Sequence, residues 1–182
     1  MATRIFTVPN QLTFLRLGFL PFFVICIYYD RYAWALGILV LAAISDALDG
    51  ILARHLNQKS LLGAYLDPIA DKLLLSSSFF VLALKGQLSW WLTILVLSRD
   101  VLLLATAAVI LLAVGYRPLP PTVYGKATTV VQIALVVLVI GNGIVDNHTL
   151  EIIRGFFIYV TAAFTVFSGL HYSVVIARRL NG

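Results

Sequence analysis

Long apolar stretches alternate with short polar breaks along almost the whole chain. A helix needs about 20 mostly apolar residues to cross the hydrocarbon core of a bilayer, and six stretches meet this length. They cover residues 11–29, 33–55, 61–84, 88–114, 122–144 and 152–176. Backbone polar groups in lipid must be paired internally, which favours helices for such runs. The pattern therefore predicts an all-α integral membrane protein, a six-transmembrane-helix bundle that forms a single domain over residues 1–182.

The composition narrows the class of protein further. Of the 182 residues, 61% are hydrophobic and 12% are charged, whereas a soluble domain is typically about 45–50% apolar and about 25% charged. These values leave little room for a soluble enzyme and exclude a disordered chain. The single cysteine, Cys26, excludes an intrachain disulfide and a cysteine-based zinc site.

The net charge of +5 is first a signal of membrane topology rather than of nucleic-acid binding. Three cations, Arg16, Lys72 and Arg99, fall inside the predicted spans. Seven others lie on the side of the N-terminus: Arg4, Arg54, Lys59, Arg117, Lys126, Arg178 and Arg179. The opposite side carries Arg31, Lys85 and Arg154. Because cytoplasmic loops are enriched in Lys and Arg, we expect both termini to be cytoplasmic.

Four of the eight acidic residues fall in the cytoplasmic halves of spans two and three. They are Asp46, Asp49, Asp67 and Asp71. A carboxylate near the bilayer interior costs about 3 kcal/mol or more, so four of them together need neutralising partners. The short connection between the two spans makes them antiparallel neighbours, and we expect the four carboxylates to converge.

Helical spacing also gathers small and basic residues around these acids. At about 100° per residue, the acids of span two share an arc of about 140° with Gly50, Ala53 and Arg54. On span three, Gly63 shares a stripe about 80° wide with its two acids. Glycine and alanine allow a ligand or a backbone to approach closely, and Arg54 is suited to hold a phosphate.

The clustered carboxylates predict a site for hard cations. Only oxygen ligands are available there, which suits Mg²⁺, Mn²⁺ or Ca²⁺ and argues against zinc. Two divalent ions would balance four negative charges, and a pair about 3.5–4 Å apart supports phosphoryl-type displacement. Two other classes remain open: a cation or proton transporter, and a structural membrane protein in which the acids pair with Arg16, Lys72 and Arg99.

The combined motif resembles a known family. Asp46-x-x-Asp49-Gly50-x-x-Ala53-Arg54, followed after eight residues by Gly63-x-x-x-Asp67-x-x-x-Asp71, is similar to the full signature of the CDP-alcohol phosphatidyltransferases. Three further segments resemble phosphatidylglycerophosphate synthases and CMP-forming cardiolipin synthases. They are Pro9-Asn10-x-Leu12-Thr13-x-x-Arg16, Ser98-Arg99-Asp100 and Gly125-Lys126-x-x-Thr129-x-x-Gln132.

The resemblance implies a reaction and a set of roles. An alcohol attacks the phosphorus of CDP-diacylglycerol that bears the diacylglycerol, and CMP leaves. Two divalent cations, Mg²⁺ or Mn²⁺, would be bound by Asp46, Asp49 and Asp67, while Asp71 completes the metal shell and is the candidate general base. The residues implied to contact the CDP moiety are Asn10, Thr13, Asp49, Gly50, Ala53, Arg54 and Gly63.

The acceptor alcohol is less well defined by the sequence. The cations Arg16, Arg99 and Lys126 are the candidates for binding a phosphate on the acceptor. Glycerol-3-phosphate is the first choice, phosphatidylglycerol the alternative, and inositol phosphate stays open. Arg99 could instead pair with Asp100, although adjacent helical residues point about 100° apart, which makes this pairing less natural.

The partners, the oligomeric state and the membrane location are also expectations. The partners are the lipid donor and the alcohol, with no nucleic acid. Relatives suggest a homodimer, although no dimer face is evident in the sequence. A short N-terminal segment without a transit peptide favours a bacterial plasma membrane, and a eukaryotic chain would be in the mitochondrial inner membrane.

Overall fold

Six α-helices make up the described part of the computed structural model. It describes the backbone of residues 8–56, 61–114 and 123–180, and the side chains of residues 14–45, 70, 72–106 and 123–172. The helices are α1 (Val8–Tyr28), α2 (Tyr32–Leu56), α3 (Leu61–Leu84), α4 (Trp90–Val114), α5 (Val123–Val145) and α6 (His148–Leu180). Each predicted apolar stretch coincides with one helix, so the prediction of an all-α fold is confirmed.

Tight turns join the helices on the side opposite the N-terminus. The turn after α1 has Asp30 at φ 58° and a hydrogen bond from Arg31 N to Cys26 O of 2.8 Å. The turn after α3 has Gly86 at φ 70° and the equivalent bond from Gln87 N to Leu82 O of 2.9 Å. A left-handed residue that closes such a bond ends a helix sharply, and Gly and Asp tolerate this conformation.

An exposed ion pair fastens these two turns to each other. Lys85 Nζ donates to Asp30 Oδ2 at 2.8 Å and to Tyr28 O at 3.1 Å, and Tyr32 Oη donates to Asp30 Oδ1 at 3.0 Å. The hydrogen bond from Lys85, followed by that from Tyr32, lowers the pKa of Asp30 below its ordinary value. The hydrogen bond to Asp30 raises the pKa of Lys85.

The core lies between α1, α2, α3 and α5, with α4 and α6 packed beside it. In the described part of the chain, α1 packs against both α2 and α3, α5 packs against α2, α3 and α6, and α4 packs against α3 and α6. The largest fully buried apolar side chains include Phe23 and Ile27 of α1, Phe79 and Leu82 of α3, Leu92 of α4, and Leu135 and Ile140 of α5.

Large apolar side chains also cover the outside of the bundle. Trp34 is 71% exposed, Leu102 67% and Phe156 66%. Among the described residues, Val123–Val145 and His148–Tyr172 are long and apolar enough to cross a membrane, and shorter apolar stretches occur at Phe14–Tyr28, Tyr32–Ser45 and Lys72–Leu84. An apolar exterior of this extent is typical of a protein solvated by lipid.

Hydroxyl and amide groups connect α5 to α6 inside this bundle. Thr128 Oγ1 donates to Phe164 O at 3.2 Å, and Gln132 Nε2 donates to Thr165 Oγ1 at 3.4 Å. Thr165 in turn donates to Thr161 O at 2.7 Å. Such bonds between membrane helices align α5 and α6 along their length.

Candidate functional site

The acidic segments of α2 and α3 lie on continuous helix. Helix α2 runs to Leu56 and α3 begins at Leu61, so the expected helical spacing of the four aspartates is met by the backbone. The side chains of Asp46, Asp49, Asp67 and Asp71 lie outside the described residues. The same holds for the residues expected to contact the CDP moiety: Asn10, Thr13, Gly50, Ala53, Arg54 and Gly63. The convergence of the carboxylates and their cation site stay predictions.

Described residues beside the aspartates are buried in the bundle. On α2, Ala42 is 1% exposed and Ser45 is 7% exposed. On α3, Ala70 is 1% exposed, and Leu74 and Ser78 are 9% and 0% exposed. Residues three, four and seven apart share a helix face. A buried stripe therefore runs along each helix toward its acidic segment.

A buried cluster of charged residues connects α3, α4 and α6. Asp100 Oδ1 accepts hydrogen bonds from Lys72 Nζ at 2.7 Å and from Arg99 Nη1 at 2.8 Å. Arg99 Nη2 donates to Ser168 Oγ of α6 at 2.7 Å. We call Lys72, Arg99, Asp100 and Ser168 the Arg99 cluster. Its position places Lys72, the residue after Asp71, in contact with α4.

The Arg99 cluster carries one more positive charge than negative. The Arg99 and Asp100 side chains are 7% and 3% exposed, and that of Lys72 is 22% exposed. Within the described residues, Asp100 Oδ2 and Arg99 Nε are buried without a hydrogen-bond partner. A guanidinium has five N–H donors, and the described contacts use two of them. A buried surplus cation with spare donors is a suitable partner for an anion.

The direct Arg99–Asp100 contact corrects one expectation from the sequence. The pairing was expected to be less natural because the two positions are adjacent on a helix, and that expectation is wrong. The arginine side chain is long enough to bring its guanidinium back toward the neighbouring carboxylate. Lys72 and Ser168 hold the pair from the two adjoining helices, so both side chains turn toward α3 and α6.

The other two predicted phosphate ligands lie elsewhere. Arg16 is 2% exposed on α1 and has an interaction partner. Lys126 is exposed in the first turns of α5. Neither residue is a partner of the Arg99 cluster in the described part of the chain. Among the described contacts of these candidates, those of Arg99 reach α6 through Ser168 and α3 through Asp100 and Lys72.

The sequence did not lead us to predict that Asp100, Lys72 and Ser168 form one cluster with Arg99. A signal for the first two was present, because they have opposite charges and lie at similar distances on either side of the α3–α4 turn. Antiparallel neighbours bring such positions together. Ser168 gave no comparable signal, since a single serine in an apolar helix has many other roles.

A cleft opens between α4 and α6 next to Arg99. Its cavity volume is about 330 Å³, and Arg99 and Ser98 form part of its wall. Leu102, Val166 and Leu170 are among its apolar lining residues, and Gly169 lies next to Arg99. A Cβ atom added at Gly169 would be 3.8 Å from Arg99 Cγ, so the glycine leaves space beside the arginine.

Comparisons with known proteins identify the same family as the acidic motif does. Residues 6–167 match the sequence model of a family described as CDP-alcohol phosphatidyltransferase. The CMP-forming cardiolipin synthase of Homo sapiens is 34% identical over 91% of this chain, and that of Streptomyces coelicolor is 40% identical over 69%. A Mycobacterium tuberculosis protein named "Probable phosphatidylglycerophosphate synthase" is 38% identical over 71%. The matches cover 61% to 63% of the lengths of these relatives.

Proposed function

Because the chain belongs to the CDP-alcohol phosphatidyltransferase family, we propose that it transfers the phosphatidyl group of CDP-diacylglycerol to a glycerol acceptor that carries a phosphate, releasing CMP. The observation that carries this proposal is the family match over residues 6–167, which includes the whole acidic signature from Asp46 to Asp71. A transporter would have no need for the small residues and the arginine that accompany the acids.

We propose that the chain crosses the membrane with all six helices. An even number of spans places the start of α1 and the end of α6 on one side, and the distribution of Lys and Arg assigns that side to the cytoplasm. The acidic segments of α2 and α3 then lie at the cytoplasmic edge. A donor with two acyl chains stays in the bilayer, so its headgroup is found at this depth.

The buried stripes on α2 and α3 support the proposal that the carboxylates face the bundle interior. On α3, Asp71 stands three residues before Leu74 and seven before Ser78, both of which are buried. On α2, Asp49 stands four residues after the buried Ser45. Helical periodicity therefore favours an inward position for both acids. Intramembrane carboxylates in such positions need compensating cations.

The donor set fits two divalent cations. Asp46, Asp49, Asp67 and Asp71 offer only carboxylate oxygen, the ligand that Mg²⁺ and Mn²⁺ prefer. When bound, the cations supply electrostatic stabilisation of the pyrophosphate oxygens and of departing CMP. We propose the first three aspartates as principal ligands, with Asp71 completing the shell and acting on the acceptor.

The protein side chains then have separate tasks. Asp71 takes the proton of the acceptor hydroxyl, because a neutral alcohol is a weak nucleophile. The alcohol oxygen forms a bond to the phosphorus that bears diacylglycerol, the bond from that phosphorus to the CMP oxygen breaks, and CMP leaves with the electron pair. Arg54 holds a phosphate of the donor, while Gly50 and Gly63 let the nucleotide approach the helix backbone.

We propose Arg99 as a ligand for the acceptor phosphate. It has spare donors, belongs to a cluster with surplus positive charge, and contacts α3 through Asp100 and Lys72. Glycerol-3-phosphate and phosphatidylglycerol both carry a phosphate near a glycerol hydroxyl. The names of the relatives divide between the two corresponding activities, so the family match leaves both acceptors as candidates.

Release of CMP from CDP-diacylglycerol tests this proposal. The purified chain is assayed in mixed micelles with glycerol-3-phosphate or phosphatidylglycerol, first with Mg²⁺ or Mn²⁺ and then with a chelator. We expect acceptor-dependent release that the chelator abolishes. Asp67→Asn and Asp71→Asn should both lose activity, since one removes a metal ligand and the other the base.

Asp146→Asn is the matched control for these variants. Asp146 is exposed in the α5–α6 turn on the opposite side of the bundle, where Asn tolerates its φ of 46°. This variant should behave like the wild type. Release of CMP without metal, or undiminished release by Asp67→Asn, would contradict the proposed function. Activity retained by Asp71→Asn alone would remove only the assignment of the base.

A further inference from the structure

We propose that a cavity between α1 and α3 binds an anionic phospholipid that does not react. The cavity lies between residues 24–29 of α1 and residues 77–84 of α3, and we call it the outer cleft. One acyl chain would lie in the outer cleft, with the phosphate at its mouth beside Lys85 and Arg31. This inference goes beyond the proposed function, because the lipid is neither the donor nor the acceptor of phosphatidyl transfer.

The outer cleft lies at the end of the bundle opposite the N-terminus. Its walls are the last turns of α1 and α3, which end at Tyr28 and Leu84. Seven residues of helix span about 10 Å, so the cleft reaches about one third of the way into a hydrocarbon core about 30 Å thick. This depth suits the upper part of an acyl chain in a single leaflet.

The walls of the outer cleft are apolar and open toward lipid. Its cavity volume is about 360 Å³. Ile25, Phe80 and Leu84 of the lining are 51%, 47% and 56% exposed. Ser77, a small residue, lies at the deep end of the α3 wall and leaves room there. An acyl chain held between the two helices gains packing contacts on both sides.

A surplus of positive charge lies at the mouth of the outer cleft. Lys85 follows Leu84, and its Nζ is 5.9 Å from the centroid of the Tyr28 ring. It donates to Tyr28 O and Asp30 Oδ2, so the described contacts use two of its three N–H donors. Arg31, next to Asp30, is exposed. Two cations and one carboxylate leave one positive charge, which the single negative charge of a phosphodiester balances.

Aromatic side chains place this mouth at the level of the lipid headgroups. The rings of Tyr28 and Tyr29 pack edge to face with centroids 5.4 Å apart. Trp90 packs edge to face on Phe80 of the cleft wall, with centroids 5.9 Å apart. Tyr and Trp are enriched at the membrane–water interface. A lipid whose chain enters the outer cleft therefore has its phosphate at the depth of these cations.

Two other occupants fit the outer cleft less well. Lys85 follows the proposed base Asp71 by 14 residues of α3, which is about 21 Å along a helix, so a headgroup at Lys85 stays unreacted. A second copy of the chain, bound through the same face, would bring two equal positive surpluses together across a two-fold axis. An anionic lipid neutralises the surplus that a second copy doubles.

Thermal unfolding in neutral detergent micelles tests the outer cleft without an assay of catalysis. The probe is phosphatidylmethanol, an anionic phosphodiester lipid that lacks the hydroxyl group of an acceptor. Phosphatidylcholine with the same acyl chains is the comparison without net charge. We expect phosphatidylmethanol to raise the Tm of the wild type by about 4 °C or more, and phosphatidylcholine by less than about 1 °C. Equal shifts would overturn the inference.

A bulky substitution tests the place of the acyl chain. Ile25→Trp narrows the outer cleft from an exposed position. Its matched control is Ile94→Trp on α4, where the wild-type residue is 61% exposed and outside the described lining. Ile25→Trp should raise the apparent Kd for phosphatidylmethanol about fivefold or more, and Ile94→Trp should stay within about twofold of the wild type. The Tm without lipid shows that each variant is folded.

A charge substitution tests the place of the phosphate. Arg31→Gln removes one cation of the mouth and leaves the Asp30–Lys85 pair. Asn147→Asp is its matched control, because it lowers the net charge equally in the α5–α6 turn and keeps the hydrogen bond from Thr149 N. Arg31→Gln should raise the apparent Kd about fivefold, whereas Asn147→Asp should change it less than about twofold.

Three results separate this inference from its rivals. A wild-type Kd in folded Ile25→Trp would mean that the lipid binds elsewhere and would overturn the inference. A dimer that Ile25→Trp dissociates, with no shift from phosphatidylmethanol, would overturn it in favour of a second copy. Wild-type protein that shows the expected shifts but releases no CMP would refute the proposed function and support the outer cleft.

Discussion

Asp100 holds two cations on one oxygen atom, which makes Asp100→Asn an informative perturbation. In the wild type, Lys72 and Arg99 donate to Oδ1 at 2.7 and 2.8 Å. The amide of asparagine keeps an acceptor oxygen of similar shape but loses the negative charge. The buried net charge of the Arg99 cluster therefore rises from one to two.

The structure sets the size of the expected loss of stability in Asp100→Asn. A hydrogen bond to a charged group contributes about 1.5–3 kcal/mol, and removal of one partner from a buried ion pair costs about 3–5 kcal/mol. The Lys72 side chain is 22% exposed and can regain water or lipid headgroup contacts, whereas that of Arg99 is 7% exposed and cannot. We expect the free energy of unfolding to fall by about 2–4 kcal/mol.

Unfolding of the purified chain in mixed micelles measures this loss. Titration with a denaturing detergent gives the free energy of unfolding for the wild type, Asp100→Asn, Lys72→Met and the double variant. Because Lys72→Met removes the more adaptable cation, the double variant should be more stable than the sum of the single losses predicts. The expected coupling is about 1–2 kcal/mol. Asp146→Asn serves as the exposed control and should lose little stability.

Two results would refute this reasoning. A loss below about 0.5 kcal/mol in Asp100→Asn would mean that the carboxylate is not stabilising the cluster. Strict additivity of Lys72→Met and Asp100→Asn would mean that the two residues do not interact in the folded protein. Either result would also remove the charge argument for an anion at Arg99.

Three further outcomes are expected. Arg99→Lys should raise KM for the acceptor about tenfold with a smaller change in kcat, because an ammonium keeps the charge but loses the planar fork of donors; an unchanged KM would contradict this role. Gly143→Ala should destabilise the bundle by about 1–3 kcal/mol, since its Cβ would lie 2.9 Å from the Tyr32 ring. Gly141→Ala, where nothing lies within 4 Å, should be neutral in the same unfolding titration. The lowered pKa of Asp30 means that its pair with Lys85 stabilises the protein above the ordinary aspartate pKa and loses this contribution as the pH falls through the lowered value. The difference in melting temperature between the wild type and Asp30→Asn should therefore shrink in acid, and a difference independent of pH would contradict it.

The helices were predictable because the apolar runs are long and their breaks are short. At two of these breaks the signal is chemical, because Asp30 and Gly86 adopt the left-handed conformation that ends α1 and α3. Periodicity also predicts which faces of α2 and α3 carry the acids, and this stays a prediction. The packing order was not predictable in the same way, since membrane helices lack a hydrophobic force that selects particular neighbours.

The Arg99 cluster shows what one-dimensional reasoning leaves out. Helical angles argued against an Arg99–Asp100 contact, yet Lys72 and Ser168 from other helices stabilise it. A carboxylate inside a bundle pairs with the cations that tertiary packing brings near it. The side-chain conformations of the carboxylate and the cations then adapt to the pairing.

The fate of a single phosphate tests the central claim most directly. CDP-diacylglycerol is labelled on the phosphate that bears diacylglycerol and is incubated with the purified chain, divalent metal and acceptor. Phosphatidyl transfer predicts that the label appears in a new phospholipid, that CMP stays unlabelled, and that Asp67→Asn or a chelator prevents both products. Label in a water-soluble product, or an unconsumed donor with every acceptor supplied, would contradict the account.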